Sequence, residues 1–167
     1  MRPTPKYRTL TVSELKSLKT EFVQFLAAHS ITAYDWQKIK STSREQIDGL
    51  IILFSDQILE KVLKDVKLVE KRSDKRVEMF KIHAERITMY ALELQNTDAG
   101  SWTNRQPINF EKILSGETPA QIIRAEKRVN SSPEREAFEL LQDGGAISND
   151  EKWYETLQNL YQSRQSS

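Results

Sequence analysis

The sequence predicts a single α+β domain: an N-terminal three-helix group, a small three-stranded antiparallel meander and a C-terminal helical hairpin. Apolar residues recur every three or four positions in the first and last thirds of the chain, as in amphipathic helices. Residues 66–94 are instead rich in valine, isoleucine, methionine, phenylalanine, threonine and tyrosine taken together, a composition that favours strands. A chain of 167 residues can bury a core of its own. We therefore expect one domain over residues 1–162 and a polar tail over residues 163–167.

Capping patterns mark the start of the first two helices. Thr11 and Glu14 have the spacing of a capping box, which predicts a helix to about Ala28. Thr32 and Asp35 repeat this spacing and begin a second, short helix. Ile31 and Trp36, on either side of that start, have the spacing of a hydrophobic staple.

The most apolar stretch of the chain, residues 49–63, is interpreted as a core helix. Ser43 and Gln46 form a third capping box, so the helix is expected over residues 44–65. Its apolar face consists of Ile47, Leu50, Ile51, Phe54, Ile58, Leu59 and Val62. The stretch is interrupted by charges and falls short of the ~20 apolar residues that span a bilayer. Gly49 within it indicates a close packing contact.

Residues 66–94 allow two interpretations. Charged clusters divide them into three runs of strand length, residues 66–72, 77–83 and 86–94, in which apolar side chains alternate. This favours the meander. A helical seam also fits, through Val77, Phe80, Ala84, Ile87, Ala91 and Leu94. Neither turn of the meander contains glycine or asparagine, so an all-α fold is the alternative.

The last third begins with a long loop and continues as helices. Residues 96–119 contain two glycines and two prolines and only a short helical piece near residues 110–114. Three further helices are predicted, over residues 120–129, 133–142 and 149–162. Ser132 and Pro133 are the cap and first residue of the second. The glycines of "DGGA" end it, and Ser148 begins the capping box of the third.

Several classes of protein are excluded by what the sequence lacks. There is no cysteine, which excludes disulfides, thiol catalysis and zinc fingers. There is no phosphate-binding glycine loop and no nucleophile elbow, and the two histidines do not have the spacing of metal ligands. We therefore predict no enzymatic activity, no cofactor and no metal. The N-terminus has no apolar run of signal-peptide length, so the protein is expected to be cytoplasmic and not to bind membranes.

The long loop, residues 96–119, is the first candidate site. It carries Trp102, Arg105 and Phe110, and long loops within compact domains are often functional. An exposed tryptophan on a polar loop is a common anchor for a protein partner. Trp102 equally fits a plug that covers the core beneath the loop. The partner's identity and the oligomeric state are not specified by the sequence.

A basic segment is the second candidate site. Residues 61–76 contain seven cationic and three acidic residues. The candidate nucleic-acid-binding residues are Lys67, Lys71, Arg72, Lys75 and Arg76. The interleaved acids favour the plainer interpretation, in which these are solvated faces with intramolecular ion pairs.

Two carboxylates beside bulky apolar residues, Asp35 and Asp56, are candidates for acid–base chemistry, and another buried acid pair is left open. Capping is the preferred role for Asp35, and Asp56 is expected on the wet side of its helix or bonded to a neighbouring element. His29 is expected to cap the end of the first helix, and His83 to be solvated beside a turn.

Four segments carry a resemblance to a known family. They are "KYRTLTVSELKSLKTEFVQFL", "ITAYDWQKIK", "LFSDQILEKVL" and "EAFELLQDGGAISNDEKWYETLQNL", in that order. Together they resemble an uncharacterised family of small Bacteroidota proteins, a domain of unknown function. The resemblance implies a bacterial, cytoplasmic, single-domain protein, and it assigns no activity or site residue.

The sequence thus predicts a non-enzymatic protein-interaction or scaffold domain. The alternative is nucleic-acid- or ribosome-associated binding through residues 61–76.

Overall fold

The computed structural model describes residues 3–95 and 109–166. Within this part of the chain there are seven helices and five strands, and the strands form one antiparallel sheet. The chain divides into two compact units, Met1–Val62 and Leu63–Ser167. The predicted α+β class is confirmed, whereas the folding of both units as one domain stays a prediction. None of the described helices combines the length and apolar character that crossing a bilayer requires.

The N-terminal unit is built from helices. They are α1 (Val12–Ser17), α2 (Lys19–Ala28), α3 (Ala33–Thr42) and α4 (Arg44–Lys64), the last of which runs two residues past the unit. The capping boxes of Thr11 and Thr32 both form. The single helix predicted after Thr11 is wrong, because it breaks at Leu18. There the backbone N–H is shared between two carbonyls, a tightened turn that ends α1.

Aromatic side chains form the core of this unit. The ring of Phe22 lies 5.0 Å from that of Phe54 and 5.3 Å from that of Trp36, both edge to face. Trp36 and Ile31 pack against the same buried cluster, as the predicted staple requires. The close contact predicted at Gly49 is wrong, because a Cβ there would lie 3.8 Å from the nearest side chain, an ordinary distance.

Two polar side chains of α4 hold the residues that precede α1. The carboxylate of Asp56 accepts the backbone N–H of Lys6 at 2.9 Å and that of Tyr7 at 3.3 Å. The buried hydroxyl of Ser55 accepts the N–H of Leu10 at 3.0 Å. Asp56 therefore bonds to a neighbouring element, one of the two roles expected from the sequence.

Glu14 couples the cap of α1 to Arg8 and makes this end of the unit sensitive to acid. Its carboxylate accepts two hydrogen bonds of 2.8 Å from Arg8 and one of 2.7 Å from the Thr11 N–H. These bonds, the Arg8 bond first, lower the pKa of Glu14 to about 2. Because this lies below the ordinary value of 4.5, the stabilisation is complete above pH 4.5 and is lost as the pH falls towards 2.

We expect the Glu14 carboxyl to titrate near pH 2 in ¹³C NMR of the folded protein. Replacing Arg8 with methionine removes the largest cause and should move the midpoint towards 4.5. A midpoint near 4.5 in the unaltered protein would contradict the role of this ion pair.

Three strands of the C-terminal unit form the predicted meander. They are β1 (Leu68–Arg72), β2 (Arg76–Ile82) and β3 (Arg86–Leu94). Each lies within two residues of the predicted bounds, so the sheet interpretation is confirmed over the helical seam. The full sheet has five strands in the order β4-β3-β2-β1-β5.

The two outer strands of the sheet are absent from the sequence prediction. Strand β4 (Ala120–Arg128) replaces the helix predicted over residues 120–129, which is wrong. All nine of its residues pair with β3, and this pairing overrides the helix-favouring glutamate, lysine and arginine in the segment. Strand β5 (Ala146–Ser148) pairs with β1.

Helices cover both faces of the sheet. They are α5 (Phe110–Leu114), α6 (Pro133–Gln142) and α7 (Glu151–Gln165). The first two match the predicted bounds. On one face Leu157 of α7 is packed with Val77 and Leu92. On the opposite face α6 contacts β1 and β2. The cap of α7 is Asp150 rather than the predicted Ser148.

Candidate functional site at the open edge of the sheet

Strand β4 forms an exposed edge of the sheet. It pairs with β3 on one side, and no other strand in the described part of the chain pairs with its outer side. Its last five residues, from Arg124 to Arg128, are all exposed. An edge strand of nine residues is long, and such edges offer unpaired backbone groups to another chain.

The hydrogen-bond pattern shows which backbone groups of β4 point outward. The Val129 N–H donates to the Glu85 carbonyl and the Gln95 N–H to the Pro119 carbonyl, both at 2.9 Å, at the two ends of the β3–β4 ladder. Antiparallel ladders alternate between residues that bond to the partner strand and residues that do not. The outward residues are therefore Ala120, Ile122, Arg124, Glu126 and Arg128.

One outward acceptor is already satisfied. Arg164 of α7 donates to the Ala120 carbonyl at 2.6 Å. The following four outward residues have no backbone hydrogen bond from the described residues on this side. The open edge therefore offers donors and acceptors from four alternate residues, and we call these four the outward set.

An apolar groove runs beside β4 on the face that α6 covers. It has a volume of about 160 Å³ and is lined by Phe80, Ile87, Met89, Ala125 and Leu140, together with Glu126 and Lys127 of β4. The lining is almost entirely apolar. A side chain from a strand added to β4 would enter the groove from the β4 side.

Ion pairs fix several charges of β4. Arg124 contacts Glu126 at 2.7 Å, and Lys127 contacts Glu136 at 2.7 Å. Burial alone would raise the pKa of Glu136, but the hydrogen bonds from Lys127 and from the Asn130 N–H outweigh it and lower the pKa. Glu136 is therefore a buried anion that anchors the end of β4 to α6.

The predicted protein-binding residues lie only partly in the described structure. Trp102 and Arg105 fall outside the described residues. Phe110 begins α5 and is half-buried, with its ring edge to face against Trp153 at 5.3 Å. In this part of the chain Phe110 contributes to packing, and its role in binding stays a prediction.

The predicted nucleic-acid-binding residues are mostly engaged within the protein. Lys71 contacts Asp143 at 2.6 Å, and Arg72 contacts Glu70 at 2.6 Å. Arg76 contacts two glutamates, at 2.9 and 3.1 Å. Lys67 donates to a backbone carbonyl, and Lys75 is exposed in the turn between β1 and β2. Nucleic-acid binding by these residues stays a prediction.

The remaining candidates have structural contacts. Asp35 caps α3, and the hydrogen bonds from Thr32 lower its pKa. His29 caps α2, with its ring 2.9 Å from the Phe25 carbonyl. His83 is half-buried beside the β2–β3 turn rather than fully solvated. No cluster of acids and histidines that would suit a metal ion occurs in residues 3–95 and 109–166.

A family model for DUF6495, a family of unknown function, matches residues 1–162. The chain belongs to this family. Comparisons with curated proteins and with solved structures find no match. The DUF6495 match spans both units of the chain and supports the resemblance seen in the sequence, and it assigns no activity to any residue.

The sequence does not indicate the open edge of this DUF6495 domain. Its local pattern predicts helix for the segment that forms β4, so none of those residues is a candidate on sequence grounds. The residues on either side of the segment do carry a signal for a strand. Pro119 precedes it and "NSSP" follows it, and these turn-forming residues enclose a run of strand length that contains two adjacent isoleucines.

Proposed function

We propose that this protein is a non-catalytic, cytoplasmic binding domain that takes up an extended segment of a partner protein as an added strand along β4. The outward set is the observation that carries the proposal. Four alternate residues of a nine-residue edge present unpaired backbone groups in register, which is what strand addition requires.

The side chains of β4 select the segment. Arg124 and Lys127 are paired with glutamates, whereas Arg128 has no ion pair among the described residues, so an acidic residue beside Arg128 is favoured. Alternate side chains of an added strand face opposite sides of the sheet. Those on the α6 side reach the groove of Phe80 and Met89, which suits an apolar residue. The charges also guard the edge against indiscriminate pairing.

We propose that the predicted loop, residues 96–119, provides a second contact with the same partner. Trp102 and Arg105 lie in the sequence between β3 and β4, before α5, so a partner that binds β4 could also contact this part of the chain. This part of the proposal rests on the sequence alone.

Replacing Glu126 with proline tests strand addition. The Glu126 N–H points outward, so proline removes a donor from the open edge without removing a β3–β4 hydrogen bond. Glu126→Ala is the matched control, because it removes the same carboxylate and keeps the N–H. We expect peptides selected from a displayed random library, and partners captured from lysate, to bind the alanine variant. Their affinity for the proline variant should be at least about tenfold weaker.

Amide hydrogen exchange gives a second measurement. The outward set should exchange fast in the free protein and become protected when a selected peptide binds, while the alternate residues Gln121, Ile123 and Ala125 are protected throughout.

Equal binding by the two Glu126 variants would reject strand addition. Loss of the partner with Trp102→Ala alone would place binding on the loop, and loss with nuclease or salt would favour residues 61–76.

A further inference from the structure

A polar recess lies at the end of β4, on the other side of the strand end from the apolar groove. Its volume is about 650 Å³. It is lined by the turn between β2 and β3, the end of β4 and the start of α6, with Glu85, Arg86, Arg128, Ser131 and Pro133 among its residues. All of these belong to the C-terminal unit. The recess is large enough for a small organic molecule.

Two arginines in the recess are directly opposite each other. Arg86 of β3 pairs with Arg128 of β4, in a position of the ladder that does not exchange hydrogen bonds. Cα atoms in such pairs are about 4.5 Å apart, and the side chains point to the same face. Like charges in this arrangement repel each other.

Neither guanidinium is neutralised by the described residues. Arg86 and Arg128 have no ion pair or side-chain hydrogen bond within residues 3–95 and 109–166, whereas Arg124, four residues before Arg128 on the same face of β4, is paired with Glu126. Of the two acids in the recess, Glu126 is thus engaged by Arg124, and Glu85 alone faces two cations. The recess therefore carries an excess of positive charge.

The pKa of His83 responds to burial first and to the charge of Arg86 second. Burial lowers its pKa, and the charges of Arg86 and then Lys81 lower it further, against a smaller opposing effect of Glu126. His83 adjoins Ala84, which lines the recess. The neutral imidazole is therefore favoured while Arg86 is unneutralised.

We infer that the recess binds a phosphate monoester, with Arg86 and Arg128 as its guanidinium ligands. Two adjacent guanidinium groups match the geometry and charge of a phosphoryl group. Ser131 supplies a hydroxyl, and the ten-residue helix α6 begins at the recess with the favourable end of its dipole. The apolar lining of Ala84, Val129 and Pro133 accommodates the organic part of the ester. The site does not rest on strand addition, since a protein insensitive to Glu126→Pro still contains it.

Phosphate titrations followed by NMR test this site. Inorganic phosphate, glycerol 2-phosphate and an acetylated phosphoserine amide are added at constant ionic strength, with chloride as the reference anion. We expect the side-chain Nε–H signals of Arg86 and Arg128 to shift in a saturable way. Arg86→Gln and Arg128→Gln should each weaken binding by about tenfold or more, because a charge-assisted hydrogen-bond pair is lost.

The double variant Arg124→Gln with Glu126→Gln is the control, since it removes a whole ion pair from the same face of β4 and leaves the net charge there unchanged, and it should change affinity less than about twofold. Arg86→Lys keeps the positive charge but loses the paired N–H donors of the guanidinium. This variant should therefore bind phosphate more tightly than Arg86→Gln and more weakly than the wild type. Bound phosphate should also raise the pKa of His83, because it neutralises the charge of Arg86. Tighter binding of the phosphoserine amide than of glycerol 2-phosphate would identify a phosphorylated protein as the source.

Two results would overturn the inference. The first is equal phosphate affinity in the wild type and both arginine-to-glutamine variants. The second is an arginine shift that chloride reproduces at the same ionic strength, which would show general screening of the two charges rather than a site.

Discussion

Replacing Leu157 with alanine is expected to lower the free energy of unfolding of the C-terminal unit by about 3–5 kcal/mol. Leu157 lies on α7 and is fully buried against the central strands, with Val77 and Leu92 among its neighbours. Truncation removes the transfer free energy of the side chain and leaves a cavity. The opposite wall of that cavity is β2 and β3, which are hydrogen-bonded on both sides and cannot collapse into it. We therefore expect a value in the upper part of the usual range.

Guanidinium denaturation followed by the fluorescence of Trp153 measures this loss, in a background where Trp36 and Trp102 are replaced by phenylalanine. Leu114→Ala is the control, because Leu114 is 56% exposed whereas Leu157 is 0% exposed. The control should cost less than about 1 kcal/mol. A similar small loss for Leu157→Ala would mean that α7 does not cover the sheet as described.

Elements with local chemical signals can be predicted well from the sequence. Ser132 and Pro133 mark the start of α6, and both ends of this helix agree with the predicted residues 133–142. The capping boxes of α1 and α3 form as expected for the same reason. The meander follows from alternation within three short runs, even though its turns have no glycine or asparagine. In each case the decisive pattern lies within a segment of fewer than ten residues.

Strand β4 depends on interactions that the local sequence does not contain. Its segment holds alanine, glutamate, lysine and arginine, which favour helix when considered alone. It becomes a strand because β3 offers a matching edge, with Leu94 opposite Ala120 and Arg86 opposite Arg128. The open edge and the arginine recess both require this register, so a helix prediction for the segment conceals them together.

The basic segment, residues 61–76, also shows that a local pattern can mislead when distant residues interact. Its charge excess is real in the sequence, but Lys71 is neutralised by Asp143, which lies far along the chain. Arg76 of β2 similarly forms an ion pair with Glu93 on the neighbouring strand β3. The two cations of the recess, Arg86 and Arg128, are far apart in the sequence. A count of charges over short stretches of the chain therefore does not bring them together. Pairing in space decides which charges a ligand meets.

Replacing Gly145 with alanine is the second substitution with a large expected effect, a destabilisation of about 3 kcal/mol. A Cβ at this position would lie 2.5 Å from the Val69 Cγ1 atom and 2.6 Å from the Leu140 carbonyl oxygen. The carbonyl belongs to the backbone of α6 and accepts the Gly145 N–H at 2.9 Å, so it cannot move without losing that bond. Val69 is fully buried in β1, so its side chain has no free space to enter.

Gly116→Ala separates this steric effect from backbone strain. Gly116 has a φ of 83°, and a Cβ there would have no neighbouring atom within 4 Å, so alanine costs only the strain of a left-handed backbone, about 1 kcal/mol. Gly145 has no such φ, and alanine is excluded there only by lack of space. Denaturant unfolding of the two variants should therefore rank Gly145→Ala well below Gly116→Ala in stability. The reverse order would show that α6 and β1 do not approach each other as closely as the structure places them, and that the turn alone ends the helix.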